Sequence, residues 1–417
     1  MPTSQAEAAP PGGLRSLDRA LVRSLLRLRG DPPIGVILPD GSEVRGAAAE
    51  PVARVRLRDR GVLRELLRNP DLALGEAYAD GRIDVEGDLA RLVEEAFRSH
   101  GRAPRLGRAA ARLLGARPRR NTRSRARDHI HRHYDLGNDF YRLWLDENLV
   151  YTCAYFPTPE TGLEEAQLAK MEHVCRKLVL RPGERVVEAG CGWGSLALYM
   201  AERHGVRVRA YNISEEQILY AREQARRRGL DRRVEFVLDD YRAIEGRYDA
   251  FVSVGMLEHV GPAHYRTLGR VIHRSLEPHG RGLLHSIGRS RPQPMNPWIE
   301  RYIFPGAYIP ALREMLEVLE PFELTVLDVE NLRPHYARTL EHWLDRFEKV
   351  ADEVRRRFDD RFVRMWRLYL ASSIASFRTG SCQLYQVLFA RPSSSHLPWT
   401  RAHLYGSEAG PAAAEPV

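Results

Sequence analysis

The segment GERVVEAGCGWGSLALYMAERHG, residues 183–205, restricts the fold more than any other part of the chain. A valine-rich run ends at a turn with glycines at 190, 192 and 194, and an apolar-periodic stretch begins at Ser195. Strand, glycine turn, helix is what this order dictates, because glycine tolerates the positive φ of such a turn and lets a ligand approach the helix amides. The alternation then continues. VRVRAYNI reads as a strand, SEEQILYAREQARRRGL as a helix, RRVEFVLDDY and YDAFVSVGM as strands, AHYRTLGRVIHRSLEPHG as a helix stopped by Gly280, and RGLLHSIG as a strand. FELTVLDVENL, a long helical region and CQLYQVLFAR follow, after an interruption from about 289 to 319 placed to cover a site. This pattern predicts an α/β, doubly wound, mainly parallel sheet with ligands outside the carboxyl ends of its strands.

The glycine spacing is GxGxG rather than the GxGxxG of dinucleotide folds, and Glu188 stands at the strand end. A carboxylate there repels a pyrophosphate and favours a cationic or amino-bearing ligand, which fits S-adenosylmethionine. The second strand ends Tyr211-Asn212-Ile213-Ser214 without a carboxylate, so Asn212 or Gln217 must serve the ribose hydroxyls. Asp240 and Tyr241, after the third strand, are candidates for the adenine edge and face.

Elsewhere the chain divides by composition. Residues 1–13 and 393–417 are rich in Ala, Pro, Gly and Ser and are expected to be disordered; 14–100 read as a small N-terminal α+β domain, and 128–392 as the catalytic domain. Between them, 101–127 holds ten arginines and no Asp, Glu or Lys. The net charge is +9, yet the rest of the chain holds 54 basic against 55 acidic side chains, so any attraction to an anionic partner belongs to that segment. Only Lys170, Lys177 and Lys349 are lysines. The four cysteines lack zinc or disulfide spacing, and His131 and His133 have no partner ligands nearby, so no metal site is expected. No basic n-region with an apolar core opens the chain, and no run of 18 apolar residues occurs, which suggests a cytoplasmic protein able to lie on a membrane.

Several motifs in order then resemble one family, the cyclopropane-fatty-acyl-phospholipid synthases and mycolic acid cyclopropane synthases. They are HYDLGNDFY (133–141), YTCAYF (151–156), GCGWGSLALYMA, NISEEQ (212–217), VGMLEHVG (254–261), LLHSIG (283–288), WIERYIFPGAYIP (298–310), PHYARTL (334–340) and FVRMWRLYL (362–370). NPDLALGEAYADGRIDVEGDL resembles the extra N-terminal domain of phospholipid-acting members. The resemblance implies a Rossmann-like S-adenosylmethionine-dependent methyltransferase fold and methylene transfer to a cis double bond of an unsaturated acyl chain. In such a reaction a bound bicarbonate deprotonates the intermediate cation. It implies a bicarbonate pocket of Cys153, Glu258, His285, Ile287 through its amide, and Tyr336. It also implies cofactor contacts from Tyr151, Thr152, Gly190, Gly192, Gly194, Asn212, Gln217 and Tyr241.

Partners implied in the same way are an anionic phospholipid membrane, met peripherally on its inner face, and a second copy in a homodimer. Trp298, Tyr302, Phe304 and Tyr308 are expected to line an acyl tunnel. One departure is Ser373, where many relatives carry cysteine; the bicarbonate route needs no nucleophile there. An alternative product is a methyl- or methylene-branched chain. A nucleic-acid methyltransferase is disfavoured, since neither a D/N-P-P-Y/F motif nor a catalytic Pro-Cys occurs.

Overall fold

The computed structural model describes residues 12–48, 50–100, 136–394 and 398–405. The arginine-rich segment, His131 and His133, the start of HYDLGNDFY and most of both expected disordered ends lie outside these residues. The chain forms two compact units. Among the described residues, the first holds 12–48, 50–100, 296–298 and 351–379, and the second holds the remainder.

In the first unit a four-stranded sheet is ordered β2-β1-β3-β4, from β1 (Gly35–Ile37), β2 (Glu43–Arg45), β3 (Ala53–Leu57) and β4 (Ile83–Gly87). The expected turn at Pro39 to Gly41 joins β1 to β2, with Gly41 at φ 82°. The sequence groups residues 351–379 with the later elements, but the helix Asp360–Thr379 packs on helices Pro70–Ala79 and Leu89–His100. Arg364 fixes it there: its guanidinium donates to the Tyr78 carbonyl at 2.6 Å and to Asp84 at 3.0 Å, and lies over the Tyr78 ring. Such contacts join residues some 280 positions apart, which local periodicity does not report.

The second unit holds a seven-stranded sheet, order β10-β11-β9-β8-β5-β6-β7. Its strands are β5 (Arg185–Ala189), β6 (Arg207–Asn212), β7 (Val234–Leu238), β8 (Tyr248–Val254), β9 (Leu276–Gly288), β10 (Thr325–Asn331) and β11 (Gln383–Ala390). All neighbours from β7 through β9 are parallel, and β11 runs antiparallel to both β9 and β10. Both faces are buried: Val186 packs with Leu198, Met200 and Ile218 on one side, and Val187 with Phe251, Leu268 and Ile272 on the other. Each such apolar side chain contributes roughly 1.5–3 kcal/mol, and burial on both faces explains why the strands read as continuous apolar runs.

One boundary differs from the sequence expectation. The helix read as reaching Gly280 stops at Ser275, and Leu276 is already extended at φ −92°, ψ 137°. Pro278 works against continuing the helix, because it has no amide to donate to the Arg274 carbonyl and disfavours helical backbone at Glu277. From β5 the chain leaves toward β6 on one side, then returns to β8 on the other. That reversal opens a crevice at the carboxyl ends of β5 and β8, where an open α/β sheet binds ligands.

Candidate active site

The glycine turn is pinned to the neighbouring strand, since the Gly190 and Cys191 amides both donate to the Tyr211 carbonyl, at 2.9 and 3.1 Å. Its three glycines do different work. A Cβ on Gly194, at φ 85°, would meet the Phe236 ring at 2.6 Å, and one on Gly190 would meet Met256 at 2.9 Å, so these two permit close packing. Gly192, at φ 53°, has no heavy atom within 4 Å of that position, so its backbone faces open space. Asn212, at the end of β6, donates to the Gly192 carbonyl at 3.2 Å and to Gln217 Oε1 at 2.7 Å, joining the expected ribose-binding amides to the glycine turn. At the end of β7 the Asp240 carboxylate accepts from the Arg242 amide and guanidinium, at 2.9 and 3.2 Å, while Tyr241 packs in one cluster with Ala189 and Ile244.

Glu188 is 2% exposed. Burial pushes its carboxyl up to about 8, against the pull of Lys170 and of the Ala197 amide. Its Oε2 has no hydrogen-bond partner among the described residues. A buried acceptor beside an open glycine turn and two joined amides suits the amino, ribose and adenine groups of S-adenosylmethionine.

Glu258 lies in the helical turn Leu257–Val260 that follows β8, and His285 near the end of β9. Two bonds lock these ends together, Gly255 amide to His285 carbonyl at 2.8 Å and Ile287 amide to Glu258 Oε1 at 2.6 Å, and the Tyr308 amide adds the segment after β9 through the Glu258 carbonyl at 2.8 Å. The Ile287 amide, expected to serve a bicarbonate, is therefore engaged by the carboxylate itself. Burial pushes Glu258 up to about 7 and His285 well below its ordinary range. Glu258 Oε2 and His285 Nε2 are buried without a partner among the described residues.

Cys153 is fully buried, which pushes its thiol far up. The Ala154 amide donates to Thr339 Oγ1 at 3.0 Å, tying this segment to the helix Arg333–Lys349, on which Tyr336 sits one turn earlier. Tyr336 meets the edge of Trp343, whose ring lies 5.2 Å from that of Tyr151. Thr152 touches the loop after β8, where a Cβ on Gly255 would lie 3.0 Å from its methyl group.

Sequence reasoning missed Lys170, Gln386 and Glu330. Lys170 donates to Thr152 Oγ1 at 2.9 Å, and Gln386, opposite His285 in the β9–β11 register, meets His285 Nδ1 at 3.1 Å. Glu330 holds His173 at 2.7 Å and Lys177 at 2.5 Å, and these hold its carboxyl near 2 although burial alone would raise it. The scarcity of lysine in an arginine-rich chain was the available signal for Lys170.

Strand order, glycine turn and the buried acidic strand end define an S-adenosylmethionine-dependent methyltransferase. The sequence model for the mycolic acid cyclopropane synthetase family matches residues 121–387, and a domain of unknown function matches 21–105. The chain is 38% identical over 356 residues to the cyclopropane-fatty-acyl-phospholipid synthase of Escherichia coli K12, covering 84% of this chain and 90% of that one. It is 32% identical over 398 residues to tuberculostearic acid methyltransferase UfaA1 of Mycobacterium tuberculosis, covering 90% and 92%. The crystal structure of mycolic acid cyclopropane synthase CmaA1 complexed with SAH and CTAB superposes with a TM-score of 0.61 at 29% identity, over 64% of this chain and 98% of that one. The chain belongs to the mycolic acid cyclopropane synthetase family.

Proposed function

We propose that this methyltransferase converts the cis double bond of unsaturated acyl chains in membrane phospholipids into a cyclopropane ring. The observation that supports it most is a pair of buried polar atoms without partners among the described residues, Glu258 Oε2 and His285 Nε2, at the ends of adjacent strands. An alkene is a weak nucleophile, so the site must hold the reactants together and exclude water. A proton must leave only after the new carbon bond has formed, so a base has to be held ready in the pocket.

S-adenosylmethionine supplies an electrophilic methyl group on its sulfonium. Tyr151, Thr152, Glu188, Gly190, Gly192, Gly194, Asn212 and Gln217 would hold it, with Asp240 and Tyr241 at the adenine end. Bicarbonate supplies a base in this reading, and Glu258, His285, Tyr336 and Cys153 would hold it, with the Ile287 amide fixing Glu258 rather than meeting the ion.

The chain's own groups are prepared for that task. With the Gln386 amide nitrogen at Nδ1, the neutral His285 ring keeps its proton on Nε2 and donates from there. Ionised Glu258 keeps Oε1 on the Ile287 amide and offers Oε2 as an acceptor. Cys153 stays a thiol and contributes shape rather than a nucleophile. The half-buried rings of Tyr151 and Tyr336, both packed on the buried Trp343, are the aromatic groups placed to meet positive charge on the acyl chain.

A phospholipid substrate puts the enzyme on a membrane surface, and the ten-arginine segment supplies the cationic charge to meet anionic headgroups. Among the described residues no helix is long and apolar enough to cross a membrane. Incubation with S-adenosylmethionine and vesicles of cis-monounsaturated phosphatidylglycerol should add the mass of one methylene to the acyl chains. Unchanged chains, or chains of that mass without high-field cyclopropyl proton signals, overturn the proposal. The second reading, a branched chain, draws its support from the 32% identity to a tuberculostearic acid methyltransferase.

A further inference from the structure

Two of the chain's three lysines, Lys170 and Lys177, are each 2% exposed and share the helix Leu163–Lys177. In a chain that uses arginine at 61 of its 64 basic positions, a buried lysine marks a place where a compact ammonium fits and a planar guanidinium does not. Lys177 is committed to Glu330 at 2.5 Å. Lys170 is committed elsewhere: its Nζ donates to Thr152 Oγ1 at 2.9 Å, with Asp146, Cys153 and Glu188 as its charged or ionisable neighbours. Asp146 is already occupied by the Asn148 and Val150 amides, at 3.0 and 2.8 Å. Those amides leave its charge in place, and Asp146 offsets the ammonium more than Cys153 or Glu188 does.

The direction of the Lys170 bond has a chemical consequence. Because the ammonium fills a lone pair of Oγ1, the Thr152 hydroxyl must turn its own proton away from Lys170. A hydroxyl donor backed by a buried cation suits a carboxylate. S-adenosylmethionine and its product S-adenosylhomocysteine both end in an α-ammonium and an α-carboxylate.

We propose that Lys170 is a positioning residue for the amino-acid end of the cofactor, setting the Thr152 hydroxyl as a donor to the cofactor carboxylate. This rests on the S-adenosylmethionine reading of the glycine turn. It requires Lys170 to matter only for ligands that carry the amino-acid end.

Calorimetric titration with S-adenosylhomocysteine and with 5′-methylthioadenosine, an adenosyl thioether lacking that end, separates this from a structural role. Lys170→Met should weaken S-adenosylhomocysteine about tenfold or more and leave methylthioadenosine within about twofold. Thr152→Val, which removes only Oγ1 from a half-buried side chain, should do the same and keeps the test open if Lys170→Met does not fold. The double variant should be no worse than the weaker single one, because both changes break one bond. Wild-type-like binding of S-adenosylhomocysteine by Thr152→Val, or equal loss of both ligands by Lys170→Met, overturns the inference. A wild-type enzyme that binds neither ligand overturns the cofactor reading, and the inference with it.

Discussion

Glu258 accepts the Ile287 amide through Oε1 at 2.6 Å, so the turn after β8 and the end of β9 behave as one piece with a single carboxylate oxygen left over. That division of labour makes Glu258 costly to hold in the folded chain and open to a chemical test. Its second oxygen has been stripped of water without receiving a protein donor among the described residues, which is expensive in folding terms and useful only if something binds there.

The pH dependence follows from burial. Glu258 is held at about 7, above its unfolded value of 4.5, so its acceptor form appears as pH rises through about 7. Turnover should climb over the same interval, and Glu258→Gln should lower kcat by about 10²–10⁴. The stability effect has the opposite sign. The folded state keeps a proton that the unfolded state has released, so wild-type stability falls as pH rises from about 4.5 to about 7. Glu258→Gln should therefore melt higher than wild type at pH about 8 while turning over far more slowly. Thermal denaturation and rate profiles on the same samples check both signs.

The glycine turn predicts a contrast between positions two residues apart. Gly194→Ala bears the cost of a positive φ and in addition drives a Cβ into the Phe236 ring at 2.6 Å, which should add about 1–3 kcal/mol to the loss of stability. Gly192→Ala meets nothing within 4 Å and should cost only about 1–2 kcal/mol for its positive φ, yet weaken S-adenosylhomocysteine where the backbone must be approached. Chemical denaturation paired with calorimetry separates the packing glycine from the ligand-facing one.

Membrane attachment should follow the charge of residues 101–127. Replacing about half of their arginines with Gln should weaken binding to phosphatidylglycerol vesicles by about 1 kcal/mol per residue near the surface, with the wild-type affinity falling as salt rises. Affinity for S-adenosylhomocysteine should not change. Vesicle binding that ignores these substitutions assigns the segment to linkage alone.

The strands, the glycine turn and the ends of β8 and β9 were legible because parallel strands buried on both faces leave apolar runs, and glycines punctuate them. The family resemblance picked out Glu258 and His285, and the strand pattern located each at or just beyond a strand end. The start of β9 was misplaced because helical periodicity runs up to Ser275 and the backbone preference before Pro278 is the local signal against continuing it. The packing of Asp360–Thr379 on the N-terminal helices, and the Gln386 contact to His285, are products of tertiary approach. No local pattern records a bond between residues 101 or 286 positions apart. Lys170 was visible only as a rare residue type, with no spacing to say what it faces.

Ring closure at the double bond separates the proposed reaction from methyl branching. The enzyme should be given S-adenosylmethionine deuterated on its methyl group together with cis-monounsaturated phospholipid, and the product acyl chains examined by proton and deuterium NMR. Ring protons at unusually high field, with two of the three methyl deuterons retained in the ring carbon, are the predicted result, since Glu258 and His285 are there to support loss of one. Branched chains alone, bearing an intact trideuteromethyl group or an exocyclic methylene and no ring signal, would contradict it.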